Sequence, residues 1–164
     1  MKKLLISFAV LVVVAGIGLW QFSGSAKAAP QVTYTSLDGR QFTTQDLLGK
    51  VYLVKFWATS CVTCVRQMPD AIEAYNQYSP QGYEVIAVAM DYDPPAYVRN
   101  FAQSRQLPFT VAMDTTGEIA KAFDDVKLTP TTFLVDKQGR IIKRYLGNYD
   151  KTDFRHTVER ALAG

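Results

Sequence analysis

The sequence predicts an α/β protein: a mixed central sheet with helices on both faces, preceded by an N-terminal β-hairpin. Three observations predict it. Apolar runs rich in β-branched and aromatic residues recur at 51–57, 83–90 and 109–113. Segments of helical period separate them. Two further apolar runs then flank Lys137-Gln138-Gly139-Arg140, and an amphipathic segment closes the chain. Strands joined by helices run parallel and strands joined by a tight turn run antiparallel, so the sheet must be mixed.

The elements follow in order. QVTYTSLDGRQFT reads as a hairpin, with Asp38-Gly39 as a two-residue turn signal. TTQDLLGK fits one helical turn ended by Gly49. VYLVKFW, 51–57, has the continuous apolar character of a strand buried on both faces. From Cys61 the period changes: Cys64, Met68, Ile72 and Tyr75 draw one helical stripe. YEVIAVAM is the second buried strand. Asp93-Pro94-Pro95 signals a helix start, with Val98, Phe101 and Ala102 on its inner face. FTVAM is the third strand, and Ile119 and Phe123 mark a short helix after it. TFLVD and IIKRYL form an antiparallel hairpin, and Phe154, Val158 and Leu162 give the last helix.

Composition sets the class. The chain has 164 residues, 48% hydrophobic and 20% charged, as in ordinary globular domains. Of its 18 basic residues, Lys2, Lys3 and Lys27 lie in the first thirty, which hold no acid; the remainder balances 15 bases against 15 acids. No clustered basic surface points to nucleic acid. Residues 1–30 read as an export segment and linker, and 31–164 as the domain. Two lysines precede an uncharged run from Leu4 to Trp20, and Ala26-Lys27-Ala28 fits a cleavage signal. The run is long for a cleaved signal and just long enough to span a bilayer, which favours an uncleaved anchor at residues 4–20. In either case the paired lysines stay inside and the domain faces the extracytoplasmic, periplasmic side. No cysteine adjoins the run, which excludes a lipid anchor on a leader cysteine.

The chain's two cysteines stand together in FWATSCVTCVRQMP. At a strand-to-helix junction the sulfur of Cys61 meets free backbone N–H groups and the positive end of a helix dipole, which favour thiolate over thiol. Cys64 follows one turn later, within about 5–6 Å at Cβ, close to disulfide range. Other uses of the pair fit less well. A structural disulfide closing so short a loop contributes little chain entropy. Zinc needs about four ligands, and only His156, far along the chain, is available for soft ligation beside the two thiolates. An exposed attacking thiolate with a shielded resolving thiol is the reading that remains, and it needs no metal or other cofactor beyond the redox-active disulfide itself.

Lys55 through Cys64, with Pro69 five residues later, resembles the thioredoxin superfamily. The export segment, the hairpin, "DYDPP" and "LTPTTFLVDKQGR" make 31–164 similar to membrane-anchored TlpA/ResA-type thiol–disulfide oxidoreductases of the redoxin branch. The resemblance implies a thioredoxin-like fold, a Pro69 kink in the thiol-bearing helix, and a cis bond before Pro130 beside the cysteines. The Thr129 backbone is then free to pair with an extended substrate, and Trp57 lies beneath the thiols or at the substrate surface. It also implies protein disulfide or dithiol substrates, a membrane thiol electron donor, and a role such as cytochrome c maturation.

Two positions depart from that pattern. Many relatives place a glutamate two residues before the helix proline; here it is Gln67, which cannot take a proton at working pH. Thioredoxins bury an acid two residues before the Trp-Ala pair; here it is Lys55. Both could modulate the thiol pKa values, although a lysine whose stem packs while its amine reaches water is the simpler expectation. Asp91 and Asp93 are expected to cap and turn the loop before Pro94. Two other functions compete. A peroxide-reducing redoxin needs Thr or Ser three residues before its reactive cysteine, where this chain has Ala58. A copper-delivery module needs a wider cysteine spacing and a loop histidine, whereas His156 falls on a predicted helix.

Overall fold

The computed structural model describes residues 26–164, so the expected anchor at 4–20 lies outside the described residues. A two-stranded antiparallel unit comes first, β1 (Thr33–Thr35) and β2 (Gln41–Thr43). The main sheet holds β3 (Val51–Trp57), β4 (Tyr83–Ala89), β5 (Thr110–Met113), β6 (Thr131–Val135) and β7 (Ile141–Leu146), in the spatial order β5-β4-β3-β6-β7. β3, β4 and β5 are parallel, and β6 and β7 are antiparallel additions. The helices are α1 (Val62–Arg66), α2 (Met68–Tyr78), α3 (Pro95–Ser104), α4 (Glu118–Ala122) and α5 (Lys151–Ala163).

β3 is the centre of the molecule, and all seven of its residues are buried. Strand alternation sends Val51, Leu53 and Trp57 to one face, where Cys64, Met68, Val98, Phe154 and Val158 pack from the helices. Val54 and Phe56 point to the other face, against Phe123, Phe133, Ile119 and Tyr34. One layer is therefore built by α1, α2, α3 and α5, and the other by α4 and the N-terminal hairpin. The mixed sheet with helices on both faces agrees with the sequence.

Three local details differ from the sequence reading. The hairpin connection is longer than the two residues of Asp38-Gly39, because Ser36 and Leu37 leave β1 to pair with Ala112 and Val111 of β5. The chain reverses where Gly39 takes φ +86°, a left-handed conformation that costs glycine little. Lys27 to Ala29, expected in the linker, lie along the β6–β7 turn: Ala29 N–H donates to Gly139 O and Ile141 N–H to Lys27 O. Finally, the thiol-bearing helix is divided at Gln67. Pro69 has no N–H to give the carbonyl of Val65, so α1 ends and α2 begins there. The buried stripe continues as Cys64, Met68, Ala71, Ala74 and Tyr78, leaving Ile72 and Tyr75 half-buried.

Candidate redox site

β3 ends at Trp57 and the chain turns through Ala58, Thr59 and Ser60 into Cys61, the N-cap of α1. The turn is held from a distance. Asp93, buried in the loop after β4, accepts the Thr59 N–H and the Thr59 hydroxyl, each at 2.6 Å. Asp93 thus does not cap α3 as expected, since the helix's N-cap is Pro94 and carries no side-chain bond; it fixes the segment that delivers the first cysteine. Nothing local in the sequence signals a contact between residues 34 positions apart.

Cys61 and Cys64 are joined as a disulfide, with Cα atoms 5.2 Å apart. Their surroundings differ. Cys61 is half-buried, and its sulfur accepts the Cys64 N–H at 3.2 Å. This is an N-cap bond made by sulfur, and it strengthens when the sulfur carries negative charge. Cys64 is fully buried against Trp57 and Met68. One sulfur is reachable and prepared for charge, and the other is shielded.

The second loop at the site is Leu128 to Thr131. The Thr129–Pro130 peptide is cis. Thr129 O lies 3.5 Å from Cys61 Sγ, where a reduced Cys61 could donate its S–H. Gly147 N–H donates to Pro130 O at 2.8 Å, and the Thr131 hydroxyl to Leu128 O at 2.7 Å, which pins the loop on both sides. Tyr92 reaches across to Thr129 Oγ1 at 3.3 Å. Exposed Val62, Tyr92 and Leu128 form an apolar rim near the disulfide. Sequence reasoning did not single out this rim; Val62 stands between the two cysteines, but Tyr92 and Leu128 are brought to it only by the fold.

Trp57 requires a correction. It is fully buried, with its ring tilted against Phe101 at 5.1 Å between centroids. It presents no surface to a substrate, so its contribution is support beneath the thiols. Lys55 requires another. Its amine does not reach water: the residue is fully buried, and Nζ donates to Gln67 Oε1 at 2.8 Å. β3 is central and covered on both faces, which leaves the lysine stem too short to surface. Gln67 is itself held, its amide NH2 donating to Gly147 O at 3.0 Å and to Asn148 Oδ1 at 3.3 Å. The amide is therefore oriented with its oxygen toward the ammonium.

Burial pushes the Lys55 amine down from 10.5 to about 8, against a weaker opposing pull from Asp70. Between these two values an unfolded chain binds a proton that the folded chain does not, so folding stability must rise with pH across that window. Measured against Lys55→Met, which lacks the group, the oxidised protein should gain roughly 3 kcal/mol of stability in passing from the lower to the upper value. Urea denaturation of both proteins across this range checks it, and a pH-independent difference would contradict it.

His156 lies on α5, with Nδ1 3.6 Å from Glu159. No helix among the described residues is long and apolar enough to cross a membrane.

Comparison with known proteins gives a consistent result. The Redoxin family matches residues 24–162. The thiol-disulfide oxidoreductase ResA of Bacillus thuringiensis subsp. konkukian is 36% identical over 134 residues, covering 82% of this chain and 76% of the relative. A solution structure of a putative thioredoxin from Neisseria meningitidis superposes with TM-score 0.79 at 35% identity, over 85% of this chain and 93% of that one. A putative thiol:disulfide interchange protein DsbE from Chlorobium tepidum superposes with TM-score 0.75 at 28% identity, over 84% and 96%.

Proposed function

From the premise that this chain belongs to the redoxin family and is a thiol–disulfide oxidoreductase with a thioredoxin-like fold, we propose that it reduces disulfides of exported proteins on the outer side of the cytoplasmic membrane, held there by residues 4–20. The observation that carries the reading is the asymmetry of the disulfide: a half-buried Cys61 sulfur that accepts a backbone N–H, and a fully buried Cys64.

The reaction balances as two exchanges. Cys61 thiolate attacks one sulfur of the substrate disulfide, forming a mixed disulfide and releasing the other substrate sulfur as thiolate. Cys64 thiolate then attacks Cys61, closing the Cys61–Cys64 bond and freeing the second substrate thiolate. Two electrons pass to the substrate, and a membrane thiol donor restores the dithiol. The substrate segment lies extended against the Thr129 backbone at Pro130, pairing as an added strand, with Val62, Tyr92 and Leu128 as its apolar surroundings. Apocytochrome c, with paired cysteines in an unfolded chain, has the chemistry this cleft accepts.

Two observations favour this reading over peroxide reduction or copper delivery. Ala58 offers no hydroxyl three residues before Cys61, and His156 is held on a helix beside Glu159. Equilibration of the pair with glutathione tests the direction. A potential nearer thioredoxin's ~−270 mV supports reduction, and one near ~−120 mV would make the protein an oxidant and overturn the proposal.

A further inference from the structure

Lys55 shares a face of β3 with Leu53 and Trp57, the face on which α1 carries Cys64. It is a cation with no exposure, in a position flanked by apolar residues. An ammonium has three N–H donors, and the side-chain oxygen of Gln67 accepts one of them. Gln67 lies three residues after Cys64, and its backbone N–H donates to Cys64 O at 3.2 Å. The amide that holds the ammonium is thereby tied to the turn that holds the sulfur. Among the described residues no carboxylate lies within ion-pair distance of Lys55. Asp70, one turn further along α2, is engaged by Lys151 of α5 at 2.6 Å.

A buried ammonium without an anion beside it is a costly arrangement. In the disulfide state the two sulfurs carry no charge to offset it. In the dithiol state a thiolate at Cys64 would. Resting on the exchange mechanism above, we propose that Lys55 is a charge-setting residue for the resolving sulfur: its ammonium, held in place by Gln67, stabilises the Cys64 thiolate that breaks the mixed disulfide. The cation holds the cysteine's negative charge after the proton has left.

Two consequences follow from the sign of the charge. A cation favours thiolate over thiol, so it raises the fraction of Cys64 ready to attack at neutral pH. It also stabilises the reduced state relative to the disulfide, so it moderates the reducing power of the pair. The coupling is reciprocal: a thiolate at Cys64 must hold the Lys55 proton more tightly than the disulfide does. The groups around this pair are otherwise engaged or neutral: Asp70 is bridged to Lys151, Tyr149 beside Asp70 is pushed up to about 12 chiefly by burial, and Thr132 on β6 and Asn148, which accepts from Gln67, do not titrate.

The test uses the full chain. Cys64 titrates alone in a Cys61→Ser background, followed by thiolate ultraviolet absorbance because the residue is shielded from alkylating agents. Adding Lys55→Met should lower the thiolate fraction at neutral pH about tenfold, equivalent to a midpoint one unit higher. In the two-cysteine protein the same change should move the glutathione equilibrium toward the disulfide, reaching about tenfold at a pH above both Cys64 midpoints, where the thiolate is formed in each protein. Gln67→Glu, which keeps the lysine but gives it a competing anion, should act in the same direction. If a variant fails to fold, 15N NMR of lysine-labelled unmodified protein gives the answer: the Lys55 midpoint should be higher in reduced than in oxidised protein. An unmoved Cys64 midpoint in Lys55→Met, or a Lys55 midpoint unchanged by reduction, overturns the proposal. Loss of the reductase reading would show separately, as an oxidising potential in the unmodified chain with these titrations intact.

Discussion

Cys61→Ser should abolish protein-disulfide reduction, while Cys64→Ser should complete one attack and stop with substrate covalently attached. The difference between the two follows from the site. A serine hydroxyl is not appreciably ionised at neutral pH, so the bond that Cys64 N–H makes to Sγ at 3.2 Å would have no anion to support. Cys64 cannot substitute as the attacker, because it is fully buried behind the residue that has been changed. With Cys64→Ser the reachable sulfur remains, still capped by the backbone N–H of position 64, which the substitution leaves in place. The mixed disulfide then persists, since the group that resolves it is gone. Neither variant should unfold: the disulfide closes only a short loop, so losing it removes about 2 kcal/mol or less. Turnover of a protein disulfide, together with the mass of the enzyme after a single exposure to substrate, separates the outcomes. Turnover by Cys61→Ser, or an adduct on Cys64 rather than Cys61, would reverse the assignment of attacker and resolver.

The same β3 segment shows what a sequence discloses and what it does not. VYLVKFW gives the strand, its burial on both faces and its parallel neighbours, because these depend on local pattern alone. The C-x-x-C pair and its place at a helix entrance were legible for the same reason: Cys61 is the N-cap of α1. The fate of Lys55 was not. Its position, two residues from Leu53 and two from Trp57, assigns the face, but a lysine stem can still reach water at a sheet edge. Only the strand order, with β4 on one side and β6 on the other, removes that route. Trp57 follows the same logic, and it lies under the thiols because α1 and Phe101 of α3 close over it. Asp93 was read as a loop cap because its real partner, Thr59, is brought near only by the β3–β4 pairing. The hairpin turn was misjudged because Ser36 and Leu37 had a better partner in β5 than in their own strand. In each case the missing information was a long-range neighbour.

Alternation along β3 also allows stability and chemistry to be separated by adjacent residues. Phe56 follows Lys55 directly but points to the opposite face, where its ring meets Phe123 at 5.5 Å and Phe133 at 6.1 Å. It is fully buried. Phe56→Ala should cost about 3–5 kcal/mol, from lost apolar burial and from a cavity that a rigid central strand cannot close. Against a typical total of about 5–15 kcal/mol this is a large share, and the melting temperature should fall by on the order of 10–20 °C. The chemistry of the molecules that remain folded should be unchanged. Cys64 and Trp57 belong to the core on the other side of the sheet, and no aromatic contact of Phe56 crosses to it. Thermal unfolding and alkylation of reduced Cys61 well below the transition therefore respond differently to neighbouring substitutions. Phe56→Ala moves the melting curve and leaves Cys61 reactivity alone, whereas Lys55→Met acts on the redox equilibrium of the pair. A Phe56→Ala protein that melts with the unmodified chain would show that the second core does not hold β3. One that also changes Cys61 reactivity would show that the two faces of the sheet are not independent.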